Sequence, residues 1–192
     1  MKDETMQRNL DTICKKIDEL MHAKPLVLVA LEGPCAAGKT TLAEELKGRY
    51  DCGLVHMDDF YLRPEQRTPQ RLAEIGGNID YERFQAQVLS PLLAGESFSY
   101  RPYDCGTRSL GAPVTVDRRR LFIIEGVYSM HPRLASAYDL SVFLQIDPSV
   151  QRQRILRRNS GEIQRRFFEE WIPMERRYFL ETRVMERCDM IL

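Results

Sequence analysis

The sequence predicts an α/β domain in three layers: a mostly parallel sheet between helices, with a small appended hairpin and a short Arg-rich lid. Three observations predict it. The β-rich run Leu26-Val27-Leu28-Val29-Ala30-Leu31 feeds the glycine-rich stretch Gly33-Pro34-Cys35-Ala36-Ala37-Gly38-Lys39-Thr40, and a helix opening follows, Thr41-Leu42-Ala43-Glu44-Glu45-Leu46. Strand, Gly-rich loop and helix is the arrangement of a phosphate-binding loop and of the P-loop NTPase fold. Further strand-length apolar runs, Leu121-Phe122-Ile123-Ile124 and Leu140-Ser141-Val142-Phe143-Leu144-Gln145-Ile146, are separated by helical patterns.

The chain of 192 residues has room for one domain with a core, so residues 1–192 read as a single unit. Lys plus Arg and Asp plus Glu number 28 each, so no global basic field favours a nucleic-acid partner. No apolar run is long enough to span a membrane. The polar start Met1-Lys2-Asp3-Glu4-Thr5 lacks the apolar stretch of a secretory signal. Cys14, Cys35, Cys52, Cys105 and Cys188 are odd in number and show no metal-ligand spacing, which fits reduced thiols and a cytoplasmic location. Self-association is left open.

The loop's chemistry follows from its residue types. Its glycines let successive amides turn inward as a nest for phosphate oxygens, and the helix start adds partial positive charge. Residues Gly33 to Thr40 are therefore candidate ATP ligands. Lys39 is expected on the β- and γ-phosphates and the Thr40 hydroxyl on Mg²⁺, while Thr41 either meets the α-phosphate or only packs. Cys35 lies inside the cradle, so thiol modification there is expected to block ATP, unless the thiol is inert.

Taken in order, residues 5–22 read as an amphipathic helix (Met6, Leu10, Ile13, Ile17, Leu20, Met21) within an N-terminal segment 1–24. Leu54-Val55-His56-Met57 reads as a second strand that runs into Asp58 and Asp59. Ligands of open parallel sheets sit beyond the carboxyl ends of the strands, so both carboxylates are placed for substrate or metal work. Asp58 is the candidate base and Asp59 a candidate metal ligand; the alternative for either is a turn cap.

Residues 62–80 form a polar surface excursion from which no core is expected, within an acceptor-binding region 58–116. A helix stripe, Phe84, Val88, Leu89, Leu92 and Leu93, is interrupted by Pro91, and extended pieces at 97–104 and 114–116 suggest a hairpin on the main sheet. Glu125 ends a buried strand and is the Walker B candidate for Mg²⁺, unless it merely faces solvent. A short helix is expected near 131–137. Asp147-Pro148-Ser149 caps a helix carrying Arg152, Arg154, Arg157 and Arg158.

Arg154 and Arg157 are candidates for stabilising transferred charge, the alternative being a solvated basic face. The lid region spans 152–166. A helix from 162 to 187 follows, bent or split at Pro173, with its aromatics in the core, and then a last short strand.

Together, Asp58-Asp59-Phe60-Tyr61, Asn78-Ile79-Asp80, Arg101-Pro102-Tyr103-Asp104, Ile124-Glu125-Gly126 and Arg154-Ile155-Leu156-Arg157 resemble the uridine kinase and phosphoribulokinase group of P-loop kinases, uridine kinase-like proteins above all. The resemblance runs from about Leu26 to the end of the chain. It implies that Asp58 is the base for a sugar 5′-hydroxyl, that Tyr61 and Tyr103 line a nucleoside pocket, and that Asp80 holds ribose hydroxyls. It also implies that Arg154 and Arg157 open the lid.

Three departures stand out. Asp59 replaces a small hydroxyl residue, the lid between Arg158 and Phe167 is short, and Cys105-Gly106-Thr107-Arg108-Ser109 has no pyrimidine-reading His. Arg108 instead offers a cation to an anionic acceptor. The expectation is an ATP- and Mg²⁺-dependent kinase acting on uridine or cytidine. The alternatives are a kinase for pantothenate, a sugar phosphate or glycerate, and a non-catalytic nucleotide switch.

Overall fold

The computed structural model describes residues 2–192, with side chains from residue 7 onward, so the side chain of Met6 lies outside the described residues. Helix α1 (Lys2–Ala23) sets Leu10, Ile13 and Ile17 against the sheet. Strand β1 (Val27–Glu32) is buried along its whole length, as a parallel strand covered on both faces must be. After the loop, α2 (Lys39–Arg49) buries Leu42, Ala43 and Leu46. Strand β2 (Cys52–His56) then leads into a 3-10 turn, Met57–Phe60.

The excursion carries α3 (Pro69–Ala73) and a helix in three parts: α4 (Tyr81–Phe84), a π turn (Gln85–Leu89) and α5 (Ser90–Leu93). Strands β3 (Phe98–Tyr100), β4 (Tyr103–Asp104), β5 (Ser109–Leu110) and β6 (Val114–Val116) follow. Next come β7 (Leu121–Glu125), β8 (Leu140–Phe143) and α6 (Pro148–Arg158), whose Asp147 cap accepts from Ser149 N and Val150 N. The chain closes with α7 (Gly161–Arg166), a π turn (Phe167–Trp171), α8 (Ile172–Thr182), α9 (Val184–Arg187) and β9 (Met190–Ile191).

The five-stranded sheet has the order β2-β7-β1-β8-β9 and is parallel throughout. Alternate residues of one strand serve opposite cores. Val27, Val29 and Leu31 pack with α1 and α2, while Leu28 and Ala30 pack with Phe60, Phe84 and Tyr178. The register sets Leu31 of β1 and His56 of β2 opposite Glu125 of β7, so three strand ends converge beside the loop. Among the described residues no helix is long and apolar enough to cross a membrane.

Several expectations are corrected. The excursion is not core-free: Leu62 and Ile79 are buried, and Gly76 through Asp80 are buried as a run. Neither Pro91 nor Pro173 breaks its helix, because each is the second residue after a π turn. The wider turn makes room for the ring and absorbs the carbonyl that the missing N–H leaves unpaired. The hairpin is not joined to the main sheet. It forms two separate antiparallel ribbons, β3 with β6 and β4 with β5.

The region near 131–137 holds only a 3-10 turn, Ala135–Ala137, and β8 stops at Phe143. The last long helix ends at Thr182, where Arg183 takes φ 49°. Of its aromatics, expected in the core, Tyr178 is buried, while Phe167, Phe168, Trp171 and Phe179 are half-buried.

Candidate active site

The phosphate loop is held from outside at almost every peptide. Gly33 has φ 136°, and any side chain there would fall on the Leu144 carbonyl, so only glycine fits. Its N–H donates to Glu32 Oε1 at 2.8 Å. Cys35 N donates to Glu175 Oε2 at 3.0 Å, and the Cys35 carbonyl accepts from Gln151 Nε2 at 3.0 Å. Arg154 donates to the carbonyls of Ala36 (2.8 Å) and Ala37 (3.2 Å). Lys39 is buried and folds back onto the Gly33 and Pro34 carbonyls at 2.7 and 2.9 Å. The Ala37 N–H turns back onto the Pro34 carbonyl at 3.2 Å, so with these groups engaged the Ala36 and Gly38 amides are the ones left for an anion, as a nest requires.

Glu32 anchors this end of the sheet. Fully buried, it accepts from the backbone of Gly33, Tyr128 and Met130 and from the Tyr178 hydroxyl at 3.0 Å. Burial still pushes its pKa up to about 7, against the pull of these donors and of Lys39.

Beside the loop, Glu125 Oε1 accepts from the Thr40 hydroxyl at 3.0 Å and lies 2.6 Å from His56 Nδ1. The hydrogen bond that the imidazole makes to the Glu125 carboxylate raises the His56 pKa above its ordinary value. Thr40 and Glu125 are hard oxygen donors of the kind Mg²⁺ takes. Among the described residues no group of three or more His, Cys, Asp or Glu could hold a metal alone. That fits an ion bound through one or two protein oxygens, with phosphate and water completing its shell.

Asp58 and Asp59 stand at the carboxyl end of β2, as their place in the sequence predicts. Asp58 is open to solvent, yet it sits deep in a concavity of protein, so it is desolvated without being covered. That desolvation raises its pKa, opposed by the Tyr61 hydroxyl, which donates to Asp58 Oδ1 at 2.9 Å, and by Lys39. Asp59 turns the other way. Its carboxylate accepts from the Tyr100 hydroxyl at 2.9 Å, and Arg83 donates to its carbonyl at 2.6 Å.

The remaining expected residues are distributed unevenly. Asp80 is buried with both oxygens engaged. Oδ1 caps α4 through Arg83 N at 3.1 Å, and Oδ2 accepts from Gln66 at 2.8 Å and lies 3.6 Å from Arg83 Nε. Tyr103 is half-buried in its ribbon, whereas Arg108 is exposed near the ribbon's tip with φ 57°. Arg154 serves the outer face of the loop, and Arg157 is exposed on α6. Thr41 is exposed. Cys35 is a poor nucleophile: burial and the neighbouring Glu175 push its thiol up to about 12.

Sequence reasoning missed Glu32, His56, Gln151 and Glu175. Glu32 was visible as the one charge ending an apolar run, and Glu175 as a charge in helical step with Ile172 and Tyr178. His56 needed the strand order, which sets it opposite Glu125.

No family model matches the chain. A candidate kinase, protein 029R of Invertebrate iridescent virus 3, is 24% identical over 183 residues and covers 85% of each chain. Among solved structures, a candidate uridine kinase from Bacillus stearothermophilus superposes with a TM-score of 0.73 at 21% identity, covering 98% of this chain and 99% of that one. A candidate fructose transport system kinase from Silicibacter sp. TM1040 gives 0.68 at 22%, covering 95% and 98%. D-glycerate 3-kinase from Cryptococcus neoformans gives 0.64 at 14%, covering 88% and 87%. The chain has the fold of the P-loop kinases.

Proposed function

We propose that the protein is a kinase that transfers the γ-phosphoryl group of ATP, with Mg²⁺, to a hydroxyl of a small molecule. One observation carries the reading: a phosphate loop with Lys39 and Thr40 opens toward Asp58, an accessible, desolvated carboxylate in the field of Lys39. A nucleotide switch needs no such group beside the phosphate. Thr40 and Glu125 would hold Mg²⁺, and the ion would supply charge neutralisation; Asp59, expected as a further metal ligand, instead spends its carboxylate on the Tyr100 hydroxyl. Asp58, oriented by the Tyr61 hydroxyl, accepts the acceptor's proton, and the desolvation that raises its pKa makes it a stronger base than an ordinary Asp. Lys39 exchanges its carbonyl partners for phosphate oxygens, and Arg154 and Arg157 supply positive charge at the lid.

For the acceptor, the resemblance through Asp58, Tyr61, Asp80 and Tyr103 favours the 5′-hydroxyl of uridine or cytidine. A second reading has its own observation. Asp80 is already engaged on both oxygens, by Arg83 N and by Gln66, which gives a ribose diol less to bind. With Lys39 the cation in the surroundings of Asp58, that favours an alcohol without a ribose diol, such as glycerate or a sugar phosphate. A cytoplasmic enzyme without a nucleic-acid or membrane partner completes the proposal.

The test is ADP release across a panel of uridine, cytidine, glycerate, fructose phosphates and pantothenate. Turnover of a pyrimidine nucleoside alone supports the first reading and turnover of an anionic alcohol alone the second. ATP binding without transfer to any alcohol would falsify the kinase.

A further inference from the structure

Glu175 is a charged residue on the buried face of α8, in helical step with Ile172 and Tyr178. A carboxylate is costly to bury, and here desolvation raises its pKa. Its partner is the main-chain N–H of Cys35, 140 residues away in the sequence. One turn further along α8, the Tyr178 hydroxyl donates to Glu32, which in turn accepts the Gly33 N–H. One helix therefore holds the first half of the phosphate loop at two peptides.

What this contact secures can be read from the next residue. Ala36 takes φ 61°, a left-handed conformation that is strained for a non-glycine residue and persists only where its neighbours fix it. The Cys35 unit before it is clamped on both sides, its N–H by Glu175 and its carbonyl by Gln151, and the Ala36 carbonyl is clamped by Arg154. Lys39, Asp58, Tyr61 and Tyr128 share the electrostatic surroundings of Glu175.

We infer that Glu175 is a positioning residue for the triphosphate: by accepting the Cys35 N–H it holds the loop in its binding conformation, with the Ala36 and Gly38 amides left for phosphate. A loop already ordered pays less on binding. The inference rests on the loop's ligand being a nucleoside triphosphate.

The experiment is calorimetric binding of the non-hydrolysable analogue AMP-PNP with Mg²⁺, alongside thermal melts and, once an acceptor is known, KM for ATP and for acceptor. Glu175→Gln keeps a carbonyl at the same reach and is expected to bind within about threefold of wild type. Glu175→Asp is one methylene short and Glu175→Ala has no acceptor; losing a charge-assisted hydrogen bond predicts binding weakened by about tenfold or more. KM for ATP should rise with KM for acceptor unchanged, a split that general loosening of the fold would not produce.

If the Ala variant fails to fold, the Asp and Gln pair carries the same contrast. Asp binding as well as wild type, Gln binding as poorly as Asp, or any variant binding more tightly overturns the inference while the triphosphate reading stands. A wild-type chain that binds no AMP-PNP overturns that reading, and the inference with it.

Discussion

The two halves of the site are held in different ways. The phosphate loop is fixed by its neighbour Glu32 and by three residues from distant parts of the chain, Gln151, Arg154 and Glu175, each of which grips its backbone. The acceptor excursion holds itself. Arg71 alone donates to Glu74, Glu82, the Tyr81 hydroxyl and the carbonyls of Gly77 and Ile79, and Gln66 ties Arg63 to Asp80. Its attachment to the core is through the apolar plugs Leu62 and Ile79, the His131 contact with the Ile75 carbonyl at 3.2 Å and the Asp80 N–H on the Phe60 carbonyl. On the proposed function, a donor site built from the whole fold changes only with the fold, whereas an acceptor site held largely by its own network can change its specificity while the fold is kept.

That contrast can be attacked from both sides. The largest effect is expected at Asp58, where the halves meet. Asp58→Asn should lower kcat by about 10²- to 10⁴-fold while AMP-PNP affinity stays near wild type. The acid limb of the wild-type kcat profile should lie above the ordinary carboxylate range, since desolvation raises the Asp58 pKa, with rate lost as pH falls through it. Turnover near wild type would remove Asp58 from the chemistry.

Arg71→Met comes next. Breaking its network should cost about 1–3 kcal/mol of stability and raise the acceptor KM several-fold, with nucleotide affinity unmoved. A matching loss of AMP-PNP binding would mean that the excursion and the loop are one unit.

The last expected effect touches stability alone and is a pH slope at Glu32. Its folded pKa, about 7, is raised above the ordinary 4.5, so the folded state binds the extra proton between these values. Stability contributed by Glu32 therefore falls as pH rises from about 4.5 to about 7, by up to about 3 kcal/mol. Urea unfolding of wild type against Glu32→Gln across that window should show this decline, and a difference that grows with pH would refute it.

The same division explains what the sequence made legible. The loop, the Asp58-Asp59 pair and Glu125 were readable because local spacing dictates their chemistry: glycines at fixed offsets, carboxylates at strand ends. The sheet followed from apolar runs of strand length. What stayed hidden depends on which distant segments meet. His56 faces Glu125 only because β2 lies beside β7, and Glu175 reaches Cys35 only because α8 returns across the loop. Asp80 looked like a free ligand because a sequence does not show that Gln66 and Arg83 N already occupy its oxygens. The prolines misled for a local reason, since a π turn leaves no simple periodic mark.

The π turn at Phe167–Trp171 separates the lid from α8. A π turn is a helix carrying one surplus residue in a widened turn, so it works as a slack loop: the extra residue is taken up and the helix on either side keeps nearly the same phase. A residue added to plain α winding would instead swing everything downstream by about 100°. Arg165 and Arg166 on one side and Glu175 and Tyr178 on the other therefore keep a fixed bearing to one another. The chain can carry an odd residue between the proposed lid and the grip on the loop without turning one away from the other.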